Sequence, residues 1–220
     1  TDNLEKIKKS LSNQINLLWL AGGKDNFNKI MTINKELADA NPTDYDTQVK
    51  FAELCRTTNH IDEALKYYDS ALEVAGNDIS KISKFRISKG SLYSKMRNLD
   101  LASYECMSAL HDLDSLADVR NDSYLNLYDR AFAQRILASI FTRNNDYKNA
   151  IDYYTWSLAA HHALVDIDSV KYVRDYGETL IEYGCVLNKT DRYEEAETAL
   201  SYAVLIFEKQ YTYSPKTNAG

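Results

Sequence analysis

Residues 181–204, IEYGCVLNKTDRYEEAETALSYAV, place Gly184 twelve positions before Ala196, with a short polar stretch between them. The same arrangement occurs three more times. Aligned on Ala64, Ala102, Ala150 and Ala196, the sequence has a small residue twelve positions earlier (Ala52, Gly90, Ala138, Gly184). Nine positions earlier stand Cys55, Tyr93, Phe141 and Leu187, and three earlier Ile61, Leu99, Tyr147 and Tyr193. Four positions later come Tyr68, Cys106, Tyr154 and Leu200, and seven later Ala71, Ala109, Ser157 and Ala203. Within each half, spacings of three, four and seven mark one face of a helix, and the gap between halves is polar and turn-like: RTTNH, SKMRN, TRNND or NKTD. Each copy therefore reads as two antiparallel helices. The small residue of the first helix and the alanine of the second let the backbones approach. One such pair cannot bury both its sides, so neighbouring pairs must stack to complete a core.

Composition agrees with this reading. Seven glycines and two prolines in 220 residues leave few strong breakers, which favours helices joined by short turns. No apolar run reaches the eighteen or so residues of a membrane helix. The chain begins with threonine, so a missing leader says little about targeting. A net charge of −6 argues against bulk nucleic-acid binding, which needs a broad basic face. Cys55, Cys106 and Cys185 are odd in number and lack CxxC spacing, so neither a disulfide framework nor a zinc site is implied. Buried, reduced thiols are expected for all three, and with them a reducing, cytoplasmic setting.

On these residues the chain resembles the tetratricopeptide repeat family. KGSLYSKMRNLDLASYECMSAL and IEYGCVLNKTDRYEEAETALSYAV carry that family's small-residue and alanine pattern. NPTDYDTQVKFAELCRTTNHIDEALKYYDSAL reads almost as a consensus copy, with Asn41-Pro42 at the usual inter-repeat break. The resemblance implies an all-α right-handed superhelix of about five helix pairs, in a single domain over residues 1–211. Its units fall at approximately 3–42, 43–77, 79–112, 122–162 and 168–211, with a flexible tail at 212–220. The first is a degraded terminal unit with helices near 3–21 and 25–40. The later units exceed the family's usual period of about 34 residues. Their extra length suggests longer helices around loops at SLADVRND and LVDID, similar in shape to kinesin light chains and bacterial peptide-sensing regulators.

Catalytic motifs are weak. AGGK at 21–24 lacks the frame of a phosphate loop and is read as a helix terminator. His161 and His162 are adjacent, so they point about 100° apart on a helix and suit solvent or an interface better than one metal. His111, Asp112 and Asp114 read as a solvated helix end. Cys55 and His60 lack a base-orienting partner. No enzyme, cofactor or metal is indicated. The spacing of Tyr172, Tyr176 and Tyr183 suits packing between long helices or, alternatively, a surface on which a peptide stacks.

The resemblance also places a concave surface along the first helices. Its places hold Val49, Glu53, Arg56 and Thr57, then Lys84, Ile87, Ser91 and Lys95. The next two units contribute Phe132, Arg135, Ser139 and Arg143, and Glu178, Ile181, Cys185 and Lys189. Six basic residues against two acidic ones predict a mildly basic groove in an acidic chain, suited to an acidic protein or peptide partner. The expected contact residues are Arg56, Lys84, Lys95, Phe132, Arg135, Arg143 and Lys189. Lys95, Arg143 and Lys189 also suit helix C-terminal ends for dipole reasons alone. The lysine and asparagine of the family's carboxylate clamp are replaced by Ile87 with Ser91 and by Arg135 with Ser139, which disfavours a co-chaperone role. The apolar end of the last helix, with Leu205 and Phe207, implies self-association or continuation into a longer protein. The functional expectation is a non-catalytic protein-binding scaffold. The alternatives are a peptide-sensing regulatory region or an assembly subunit.

Overall fold

The computed structural model describes residues 2–120 and 126–213, with side chains described from 9 to 209 in those ranges. The described residues form ten helices, and they fall into two compact units, Thr1–Lys81 and Ile82–Gly220.

In the first unit, α1 (Asp2–Ala21) and α2 (Lys24–Ala40) form the first pair, and α3 (Tyr45–Thr57) and α4 (Ile61–Ala75) the second. Gly22 and Gly23, at φ 61° and 87°, turn α1 into α2, so AGGK ends a helix. Asp44 caps α3, accepting from the Thr47 amide at 3.1 Å. The buried Gln48 carboxamide donates to the Ala38 carbonyl at 2.6 Å, which the Asn41 amide also reaches at 3.3 Å, and so helps close the last turn of α2. The core is Ile30, Phe51, Ala52, Cys55, Ala64 and Tyr68, each at most 1% exposed. Phe51 meets Tyr67 edge-on at 4.6 Å. The Tyr67 and Tyr68 hydroxyls donate to Asp39 and Glu53, so both rings are buried without stranding a polar atom.

α5 (Ile79–Lys95) leads into the second unit, which continues with α6 (Leu99–Arg120), α7 (Leu127–Arg143), α8 (Tyr147–Ile167), α9 (Ser169–Lys189) and α10 (Tyr193–Tyr213). At the three close approaches the glycines are required by contact. A Cβ on Gly90 would lie 2.5 Å from the Cys106 sulfur, and one on Gly184 2.7 Å from Leu200 Cγ. Gly177, outside the repeated pattern, admits the Phe207 ring, which a Cβ there would meet at 2.9 Å.

The four turns are copies at the level of single hydrogen bonds. The residue five before each aligned alanine, Asn59, Arg97, Asn145 or Asp191, sits at φ 60–63° in the left-handed region. The next amide reaches back to the carbonyl of the large residue: His60 to Cys55, Asn98 to Tyr93, Asp146 to Phe141 and Arg192 to Leu187, at 2.8–3.0 Å. This closes the first helix by a Schellman-type bond. The carbonyl of that same residue then accepts from the aligned alanine's amide at 3.0 Å, opening the second helix. Arg97 is the one residue of the four without a short polar side chain to ease the left-handed backbone.

Two expected loops are helical. SLADVRND is helix as far as Arg120, because Leu113 and Ala117 continue the buried stripe of α6 and the polar residues occupy its outer face. Residues 121–125, which include the end of that stretch, lie outside the described residues. LVDID is helix through Ile167, and the chain breaks at Asp168, which accepts from the Lys171 amide at 3.1 Å to cap α9. The expected tail begins within α10 at 212–213, and residues 214–220 lie outside the described ones.

Candidate functional site

Charge in the second unit is partitioned by helix. Within Ile82–Gly220, α5, α7 and α9 together carry ten Lys and Arg against four Asp and Glu, the excess lying on α5 and α7. α6, α8 and α10 carry three against eleven. Part of this opposition knits first helices to second ones: Lys89 to Glu105 at 3.3 Å, Arg86 to Asp112 at 3.6 Å and Arg130 to Asp114 at 2.7 Å. Asp112 and Asp114, read from sequence as a solvated helix end, thus belong to the middle of α6 and hold neighbouring helices.

The expected contact residues separate into committed and available groups. Arg135, with its side chain 16% exposed, crosses from α7 to α9 and reaches Glu182 at 2.7 Å and Glu178 at 3.1 Å. Burial alone would lower its pKa, but the hydrogen bonds and charge of Glu182, then Glu178, hold it above the ordinary arginine value. Glu182, outside the concave positions that the resemblance marks, adds a further carboxylate to this face. Arg56, in the first unit, pairs with Glu53 at 2.7 Å. Arg143 donates to the Ser94 carbonyl at 2.7 Å, joining the ends of α7 and α5. Lys84, Lys95 and Lys189 are exposed. Lys189 sits 5.9 Å from the Tyr147 ring, and the Lys84 charge opposes the upward shift that burial gives the Asp129 carboxyl. Ile87, placed on the concave surface from sequence, is 2% exposed and packs with Ala102, Cys106 and Leu137.

Phe132 lies partly buried against the core and stacks on Tyr128 at 6.3 Å; Tyr128 in turn meets Tyr172 of α9 at 5.6 Å. Burial and Asp175, to which it hydrogen-bonds, push the Tyr128 phenol up to about 12. Tyr176 is 8% exposed and packs edge-on against Tyr202 at 5.9 Å; Tyr183 stands 6.3 Å from Tyr154. The tyrosine stripe of α9 is therefore helix packing.

His161 is fully buried, not solvent-facing, and its Nδ1 is 2.9 Å from the Ser157 carbonyl in its own helix. Its Nε2 has no hydrogen-bond partner, and burial lowers its pKa. His162 turns outward, 3.4 Å from Asp166. Cys55 and Cys106 are buried, and desolvation pushes their thiols up to about 11 and about 12, which suits inert packing. Cys185 is exposed, against expectation.

The first unit holds a feature that the sequence pattern does not reveal: a cleft of about 660 Å³ between α1, α2 and α3. Its size is within the range of ligand sites.

No family model and no curated protein matches the sequence. Solved structures do match. The crystal structure of BtubC (BKLC) from P. vanneervenii superposes with a TM-score of 0.72 at 17% identity, covering 99% of this chain and 86% of that one. MamA superposes at 0.59 with 15% identity over 86% of this chain and 93% of its own. PilF of Pseudomonas aeruginosa gives 0.59 at 14% identity over 89% of this chain and 77% of that one. At these identities the likeness speaks for architecture, and with the four copied turns and ten helices it assigns the chain the all-α helical-repeat fold of the tetratricopeptide type.

Proposed function

We propose that the chain is a non-catalytic protein-binding module whose first-helix face in the second unit receives an acidic partner segment. The observation that carries this reading is the partition of charge between α5, α7 and α9 on one hand and α6, α8 and α10 on the other. Of the expected contact residues, Lys84, Lys95 and Lys189 are the exposed lysines, and Arg143 is held at the end of α7 by the Ser94 carbonyl. Arg135 positions α7 against α9 rather than meeting the partner. Such a face raises the encounter rate with an acidic segment and makes binding sensitive to salt. The test is an immobilised acidic peptide library probed at low and moderate salt with the unmodified chain and a Lys95→Glu, Lys189→Glu variant. Binding by the variant is expected to be weaker by about tenfold, and salt is expected to weaken the unmodified chain similarly. Equal binding by both proteins would exclude this face.

One observation favours a second reading, self-association through the last helix. Tyr202, Val204 and Leu205 on α10 are 43–56% exposed. Phe207 is spent internally on Gly177, so Leu205 is the handle and Phe207 is not. Sedimentation equilibrium across a hundredfold concentration range should show a rising mass that Leu205→Glu abolishes. A constant monomer mass would remove this reading.

A further inference from the structure

Trp156 on α8 is 52% exposed, yet its ring is held in place. Tyr153 meets it edge-on at 5.0 Å, and Tyr153 is itself stacked on Phe141 at 5.3 Å. Beside the indole opens a cleft of about 310 Å³, lined from α8 by Trp156, Ala160 and Ala163 and from α7 by Leu127, Arg130 and Gln134. α6 meets α7 at the same place, where Asp114 holds Arg130 at 2.7 Å. The short alanine side chains leave the space, and a volume at the low end of ligand sites suits one long side chain. Gln134 brings an unmet need. Its carboxamide oxygen is buried with no hydrogen-bond partner, and its nitrogen makes no hydrogen bond among the described residues. Leaving a buried acceptor unmet is destabilising, and the two-fold rotation about the last side-chain bond can turn either end of the amide to the cleft.

Arg130 and Asp114 neutralise each other, so the charge at the cleft is decided by the helices beside it. α6 and α8 together carry seven Asp and Glu against two Lys and Arg. Glu105, Asp112 and Asp114 pair with Lys89, Arg86 and Arg130, and Asp166 lies against His162. Asp100 sits in the first turn of α6, where the helix dipole compensates a carboxylate. Asp118 and Asp152 are exposed and have no ion-pair partner among the described residues. Asp118 stands one turn beyond Asp114 on the same face of α6, and Asp152 one turn before Trp156 on the same face of α8. The two cations, Arg120 and Lys148, occupy helix ends, and Lys148 is two turns from Trp156. The surplus beside the cleft is therefore negative.

We propose that this cleft receives an arginine side chain from a basic partner segment. The planar guanidinium stacks on Trp156, and one of its N–H groups donates to the Gln134 oxygen. Asp118 and Asp152 attract the basic residues on either side of that arginine. The site lies between second helices, and its charge is opposite to that of the face of α5, α7 and α9. It therefore takes a partner of different chemistry from the acidic segment, and it stands or falls independently of that reading.

The chain has two tryptophans, so Trp19→Phe leaves Trp156 as the sole reporter. In that background, blocked heptapeptides in which a central arginine, citrulline or glutamate is flanked by lysines are titrated against Trp156 emission. The arginine peptide should bind about tenfold tighter than the citrulline peptide, which keeps the shape of the side chain and loses its charge. Gln134→Leu should remove most of that preference, and Asp118→Lys with Asp152→Lys should weaken binding of the arginine peptide about tenfold. Both aspartates are exposed, and an unchanged melting transition confirms that the charge-reversed variant is folded. Lys95→Glu with Lys189→Glu should leave this binding unchanged, whatever becomes of the other face. The inference is overturned by equal affinity for the arginine and citrulline peptides, by no emission change up to millimolar peptide, or by indifference to both Gln134→Leu and the double charge reversal. Tighter binding of the glutamate peptide would make the cleft an anion site governed by Arg130 and overturn the inference as well.

Discussion

Arg135→Ala is expected to destabilise the second unit by about 3 kcal/mol, read from the urea unfolding midpoint. The guanidinium is largely enclosed and joins two glutamates that stand one turn apart on α9. Removing it leaves Glu178 and Glu182 a turn apart with, among the described residues, Arg174, 3.1 Å from Glu178, and the Tyr154 hydroxyl, 3.4 Å from Glu182, as remaining partners. The glutamate side chains are about a third exposed, and water screens part of the loss that a sealed site would suffer. Glu182→Gln in the Arg135→Ala background should recover a substantial share, because it removes the repulsion that the first substitution uncovers. A loss under about 1 kcal/mol, or no recovery in the double variant, would show the network to be an incidental surface pairing. Arg135→Glu would cluster three carboxylates at this point, so a loss of partner binding in that variant would report unfolding and not recognition.

The second large effect concerns the contact on which the repeat is built. Gly90→Val should cost at least about 3 kcal/mol. Its Cβ would stand 2.5 Å from the Cys106 sulfur and 3.2 Å from the Ala102 carbonyl oxygen, and the second of these is backbone that cannot rotate away. Either α5 and α6 separate or both helices bend. Gly90→Ala with Cys106→Ala removes the nearer clash, and its stability should lie well above that of Gly90→Val. Thermal unfolding of the three variants tests the ordering, and a Gly90→Val protein as stable as the parent would refute the close approach of these helices.

The parts of the fold legible in the sequence are those made by residues near one another along the chain. Gly90 with Ala102, or Gly184 with Ala196, are twelve apart, and the hydrogen bonds of each turn span five or fewer residues. Such contacts repeat whenever the pattern repeats, so one stretch predicts four. The same logic misjudged SLADVRND and LVDID. Polar residues on the outer face of a long helix look like a loop when the buried stripe, here Leu113 and Ala117 or His161 and Leu164, is thinly spaced.

The sequence by itself determined the helix pairs, the identity of the small residues at their crossings, the turns and the acidic overall charge. Tertiary structure alone decided which charges remain available. Arg135 and Glu182 are 47 residues apart and Arg143 and Ser94 are 49 apart, and no periodicity relates such partners. It also decided the cleft beside Trp19 and Lys50. A repeat pattern specifies which face of a helix must be covered by its neighbour. Where two covered faces leave a space between them depends on how side chains from three helices fill it, and that is a property of the packed unit.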